Sequence, residues 1–117
     1  MPNKFEHLRL PGILSHVSRN YRSEKIHSQG IRSISISIDE IDPGKFAFGF
    51  AVSTTEGFFS AIPGELSGYF ATETNARLYA LEYIREKAQG LTEDMIYSID
   101  VAISKLRDIP LPLFDDL

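Results

Sequence analysis

The sequence predicts an α+β fold: a three-stranded antiparallel meander with helices packed on one face, in the order N-terminal helix, three strands, two C-terminal helices. Ser and Ile alternate strictly over 33–38, which predicts a strand. Two tight-turn sequences follow this run, and two stretches between 72 and 106 carry apolar residues at helical spacing. A chain of 117 residues with 43% hydrophobic residues is expected to form one domain with a modest core.

The first 32 residues are predicted to form a basic N-terminal region with one helix of about three turns. Four apolar residues after Pro11-Gly12 have the spacing of a single helical stripe. They are Ile13, Leu14, Val17 and Tyr21. On such a helix, Arg19 and Arg22 would lie on the opposite face.

The predicted strands cover 33–38, 46–52 and 58–62, joined by turns at 42–45 and 54–57. One face of this sheet carries Ile and Phe and must be covered by helices, because each such side chain left in water would lose about 1.5–3 kcal/mol. The other face, which we call the small-residue face, consists of Ser33, Ser35, Ser37, Ala47, Gly49, Ala51 and Ser53. We expect the N-terminal region to cover it. A second subunit, as in a homodimer, and solvent are the alternatives.

Two helices are predicted after the strands. Thr72 is a suitable N-cap for a helix to about Gln89, and Thr92 for a second helix whose apolar stripe runs from Met95 to Leu106. The chain then contains Pro110 and Pro112, which are incompatible with a helix interior. The sequence therefore predicts an α+β core over 33–108 and an extended tail over 109–117.

Charge is unevenly distributed along the chain. Residues 1–32 hold six basic and two acidic residues, whereas 33–117 hold six basic and fourteen acidic ones. Clustered cations are typical of nucleic-acid contacts, so Arg19, Arg22 and Lys25 are candidate nucleic-acid-binding residues. Alternatively, the basic region lies on the acidic body or faces solvent, and the net charge of −4 disfavours a dedicated duplex binder.

Composition and motifs favour a protein without catalytic or cofactor chemistry. The chain has no Cys, which excludes disulfides and thiolate metal sites, and its three His lack metal-ligand spacing. Nucleophile-elbow and phosphate-loop motifs are absent from the sequence. We therefore expect no catalytic residues, no metal and no cofactor. No apolar run reaches the ~18 residues of a membrane span, and the first residues do not form a secretory signal, so we expect a cytoplasmic protein.

One part of the chain resembles the opening of a ribonuclease H-type domain. The resemblance rests on Ile34 to Ile38, the following Asp39, the Phe-rich second strand and Thr74-Asn75-Ala76-Arg77 at a helix start. It implies a metal-dependent nuclease with Asp39 as a metal ligand. Where that family carries its next carboxylate this chain has Tyr79, and Asp100 would supply a third if Met95 to Asp100 were a strand.

The predicted order of one helix, three strands and a helix is similar to the double-stranded RNA-binding domain, with Ala76 and Ala80 on the last helix. That family places a pair of Lys at the start of this helix to hold phosphates. Here the matching positions are Glu73 and Thr74.

The tail segment Pro110-Leu111-Pro112-Leu113-Phe114 resembles the pentapeptide by which bacterial DNA-processing proteins dock on the replicative sliding clamp. Leu111, Leu113 and Phe114 match that pattern, and Pro110 stands where the family has Gln. The resemblance implies that these three residues bind a partner protein. A stiff extended peptide loses little entropy on docking, and its apolar side chains fit a groove. Alternatively, the tail packs on the core of its own domain.

The layout over 33–117 also resembles small α+β accessory proteins of bacterial plasmids, conjugative elements and phages. Their meander ends in an aromatic segment like Gly68-Tyr69-Phe70-Ala71-Thr72, followed by a helix and a Leu-Phe tail. The resemblance implies an accessory role in DNA metabolism. The sequence thus favours a non-enzymatic interaction module, with a ribonuclease H-like nuclease and a structural or dimerising protein as alternatives.

Overall fold

The computed structural model describes residues 3–107, which form a four-stranded antiparallel sheet followed by two helices. The sheet order is β1-β2-β3-β4, so each strand pairs with its neighbour in sequence. The elements are β1 (Ser23–Gln29), β2 (Arg32–Asp42), β3 (Lys45–Thr54), β4 (Gly57–Ala61), α1 (Glu73–Lys87) and α2 (Glu93–Arg107). A single 3-10 turn, Glu6–Leu8, lies near the N-terminus.

The prediction of an N-terminal helix and only three strands is wrong. Residues 11–22 are irregular, and Ile13, at the start of the predicted helical stripe, is 94% exposed. The chain instead forms β1, which pairs with β2 from Ser23↔Ser37 to Gln29↔Arg32. The helical spacing of the apolar residues in 13–21 is not sufficient to form a helix, because helical stability comes mainly from packing of the apolar face, and Ile13 is not packed.

The three predicted strands correspond to β2, β3 and β4. Alternation places Ile34 and Ile36 in the core, where both are almost inaccessible to solvent. The turn at Pro43–Gly44 is formed with Gly44 at φ +75°, the left-handed conformation that glycine adopts without a steric penalty. A two-residue loop, Thr55–Glu56, connects β3 to β4.

Both predicted helices are present with their predicted caps. The Thr72 hydroxyl accepts a hydrogen bond from the Asn75 N–H at 3.0 Å, and the Thr92 hydroxyl accepts one from the Met95 N–H at 3.2 Å. Helix α1 ends at Lys87, two residues before the predicted end, because Ala88 is already extended.

The core lies between the helices and one face of the sheet. Helix α1 packs over β2 and β3, and α2 packs over β1 and β2. Three residues at one-turn intervals on α2, Met95, Ile99 and Ile103, are buried there. The aromatic rings of Phe48 and Tyr79 lie 5.5 Å apart between β3 and α1.

The small-residue face is covered at one end. A Cβ added at Gly49 would lie 2.6 Å from Pro63 Cδ, so Pro63 crosses directly over this strand position. The Ser18 N–H donates to the Pro63 carbonyl at 2.8 Å, which ties the N-terminal segment to this cover. Ser37 is consequently buried, whereas Ser33 and Ser35 at the other end remain partly exposed.

Candidate interaction surfaces

The residues predicted to dock a partner, Leu111, Leu113 and Phe114, lie outside the described residues. The structure does show how the preceding helix is held. Ile103 on the penultimate turn of α2 is buried, and the Arg107 guanidinium lies 5.5 Å from the ring centroid of Phe5, itself a core residue. The last described turn of α2 is therefore fixed to the body of the domain.

The predicted basic residues are exposed but do not share a helical face. Arg19 and Arg22 lie in the irregular segment before β1, and Lys25 lies on β1 opposite Ser35. None of the three takes part in an ion pair within residues 3–107, whereas Arg77 and Arg85 on α1 are paired with carboxylates. Within the described residues, the three cations are thus exposed and without an ion-pair partner.

The carboxylates that the ribonuclease H resemblance would bring together lie on different elements. Asp39 alternates with Ser37 on β2 and therefore lies on the sheet face opposite the helices. Asp100 lies in α2, not in a strand, and its carboxylate accepts a hydrogen bond from Arg85 at 2.6 Å. Within residues 3–107 no three His, Asp or Glu side chains are close enough together to hold a metal ion.

The N-terminal residues are held on α1 by a cluster of polar groups. The Tyr79 hydroxyl donates to Glu6 Oε1 at 2.9 Å, and Arg9 Nε donates to Glu6 Oε2 at 2.6 Å. The hydrogen bond from Arg9 lowers the pKa of Glu6, and burial together with the bond to Glu6 raises the pKa of Tyr79 to about 12. Tyr79 is therefore a neutral donor at physiological pH, and the cluster holds the N-terminal residues on α1.

A shallow groove of about 230 Å³ opens between β1, α1 and α2, with an apolar floor that includes Ile36 and Leu81. Its rim is closed on one side by Arg77, which bonds to Glu24 on β1 and to Glu73 on α1. Burial of the Arg77 guanidinium opposes its charge, but the two carboxylates outweigh burial and raise its pKa. The ion pairs of Arg77 thus connect β1 to α1.

The most exposed apolar surface on a regular element is β4. Phe58 is 70% exposed and Phe59 is 36% exposed, and the strand carries no charged residue. The helices pack over β1, β2 and β3. Beside β4, the Tyr83 ring of α1 lies 6.3 Å from the ring of Phe59. The predicted meander already placed this strand last, and therefore at an edge, but sequence reasoning did not single it out as an interaction surface. The signal was the Ile62-Pro63 sequence that ends it, since proline cannot continue a ladder.

The opposite edge of the sheet is built differently. Strand β1 carries Glu24 and Lys25, and its pairing with β2 shifts register between Lys25 and His27. Charged residues and bulges are the usual devices that protect a sheet edge from pairing with another chain. Within residues 3–107, β1 therefore carries both devices, whereas β4 carries neither a charged residue nor a bulge.

Comparison of the chain with protein-family models, with curated proteins and with solved structures finds no match. Within residues 3–107 no helix is long and apolar enough to cross a membrane.

Proposed function

We propose that the protein is a non-enzymatic interaction module that docks a partner protein through Leu111, Leu113 and Phe114. The observation that carries the proposal is the arrangement of these residues within ten residues of the end of α2. Pro110 and Pro112 limit the conformations of this segment, which lowers the entropy lost on docking. The contact of Arg107 with Phe5 supports the proposal, because it holds the end of α2 against the core of the domain.

The partner we propose is a bacterial or phage-encoded sliding clamp, and the setting is DNA replication, transfer or repair in the cytoplasm. The support is the similarity of the tail to clamp-docking pentapeptides. Pro110 in place of Gln removes an amide that would hydrogen-bond to the partner, so affinity rests on the apolar residues. Leucine and aromatic side chains that fill pockets are the usual source of binding energy in such grooves.

Calorimetric titration of the full chain into a purified sliding clamp tests this proposal. We expect a Kd in the micromolar range and a loss of at least tenfold, about 1.4 kcal/mol, in Phe114→Ala. Asp116→Ala is the matched control, because it changes the same tail without removing an apolar anchor, and it is expected to bind like the parent chain. Absence of binding at about 1 mM would contradict the proposal.

A second candidate function is nucleic-acid binding by the basic N-terminal region, favoured by the exposure of Arg19, Arg22 and Lys25. Replacing all three with Ala is expected to weaken retention on DNA at low salt and to flatten the salt dependence, because fewer counterions are released. Changing the ion-paired Arg85 to Ala is the control for loss of positive charge elsewhere. Retention that is unchanged in the triple variant would contradict this function.

A further inference from the structure

Strand β4 has backbone groups that point away from the sheet and that no group of the described residues pairs with. Its loop, Thr55–Glu56, has two residues, so the flanking pair Thr54↔Gly57 is the hydrogen-bonded pair of a β-turn. Hydrogen-bonded and non-hydrogen-bonded pairs alternate along an antiparallel ladder, and therefore Phe58 and Ser60 direct their N–H and C=O groups outward. Within residues 3–107 no backbone or side-chain group bonds to them.

This open stretch is closed at its C-terminal end. The next outward N–H, that of Ile62, donates to Glu65 Oε1 at 2.9 Å, and Pro63 has no N–H to offer. At the other end the Glu56 N–H is bonded to the Thr54 hydroxyl at 3.0 Å. The free edge therefore consists of two residues, each with one donor and one acceptor, separated by Phe59.

We infer that two copies of this chain pair through β4, antiparallel, about a twofold axis at Phe59. In this register Phe58 of one copy lies opposite Ser60 of the other, and the two open residues exchange both hydrogen bonds on each side of the axis. The sheets of the two copies then form one continuous sheet of eight strands. This inference goes beyond the proposed function, which uses residues 109–117.

The side chains of β4 suit a second copy in this register. Phe59 of each copy would form a cross-strand pair of aromatic rings on the helix side, beside Tyr83, and such pairs stabilise antiparallel ladders. On the other face, the exposed Phe58 would lie opposite the small Ser60 of the second copy. Because β4 has no charged residue, self-pairing places no like charges opposite each other.

A longer extended peptide fits this edge less well than a second copy. Such a peptide would extend its ladder past Ser60, where the Ile62 N–H is already bonded to Glu65 and Pro63 blocks further pairing. The two-residue opening is instead fully used by its own symmetry mate. The occupant that the geometry favours is therefore β4 of a second copy.

Sedimentation equilibrium of the full chain from about 1 µM to 1 mM tests the inference. We expect the mass to rise with concentration from 13.2 kDa toward twice that value. Ser60→Pro removes an outward N–H without breaking a bond to β3, and Phe58→Lys places like charges diagonally across the axis. Each is expected to weaken association at least tenfold. Ile31→Lys is the matched control, since Ile31 is 63% exposed at the same end of the sheet but lies outside β4.

A cross-linking experiment tests the register independently of any effect on folding. The chain has no Cys, so Phe59→Cys introduces a single thiol at the proposed axis, where non-hydrogen-bonded partners have Cα atoms about 4.5 Å apart, within disulfide range. Mild oxidation is expected to give a covalent dimer for Phe59→Cys and not for Ile31→Cys. A parent chain that stays monomeric up to about 1 mM, equal weakening by Ile31→Lys, or equal cross-linking at both positions would overturn the inference.

Discussion

Replacing Gly49 with Ala tests how the small-residue face is covered. The new Cβ would lie 2.6 Å from Pro63 Cδ and 2.7 Å from both the Ala61 carbonyl oxygen and the Ser37 hydroxyl. Overpacking of this kind costs about 1–3 kcal/mol, whereas Ala in place of Gly gains about 0.4–1 kcal/mol by restricting the unfolded chain. Because one of the three contacts is backbone, the site cannot relax by a rotamer change. The expected result is a free energy of unfolding lower by about 1–2 kcal/mol.

Urea unfolding followed by circular dichroism measures this loss as a lower midpoint at unchanged m-value. Ala51→Ser is the control, because it also adds one atom to the same face of β3 but at the partly exposed end, and its effect is expected within about 0.5 kcal/mol. Combining Gly49→Ala with Pro63→Gly is expected to cost less than the sum of the two single changes. A Gly49→Ala variant as stable as the parent chain would show that Pro63 does not cross this strand.

Two further predictions concern α1. Burial of the Glu82 carboxyl raises its pKa, and the pairing with Lys4 at 3.8 Å only partly opposes this, so ionisation of Glu82 destabilises the fold as pH rises above the ordinary value of 4.5. Glu82→Gln is therefore expected to raise the free energy of unfolding at pH 7 by on the order of 1 kcal/mol and to have little effect below pH 4.5. The exposed Glu93→Gln is the control, and its free energy of unfolding is expected to match that of the parent chain at both pH values. A gain that persists in acid would refute the assignment. Thr72→Ala removes the acceptor of the Asn75 N–H and is expected to lower the free energy of unfolding by about 1 kcal/mol. Thr72→Ser keeps the hydroxyl and is expected to be as stable as the parent chain. An equal loss of stability in both variants would contradict the capping role.

The parts of the fold that were predictable from sequence are those with a local physical cause. Ile34 and Ile36 alternate with serines because one face of β2 is buried, and Thr72 and Thr92 cap their helices with their own hydroxyls. Strand β1 was missed because Ile26 is its only apolar residue. Its extended form depends on pairing with β2, a long-range interaction without periodicity. The Gly30–Ile31 loop before an alternating run was the available hairpin signal.

The candidate surfaces were less predictable than the core. The hydrophobic pattern shows that β4 is a strand, and the predicted meander places it last, but the pattern does not show how much of that edge other segments cover. The exposure of Phe58 follows from that position and from the small-residue face, because Phe58 lies opposite Ser53 at the end of that face that Pro63 does not cover. By contrast, the exposure of Arg19 and Arg22 follows from their charge, whereas the helix predicted to carry them is not formed.

The difference between the two outer strands has a consequence for the size of any assembly. Pairing through β4 would use the outer strand that is open within residues 3–107, whereas the bulge and the charged residues of β1 disfavour pairing with a further copy. Growth by strand addition would thus terminate after a single step. On this inference, the difference between the two outer strands would limit strand addition to a dimer.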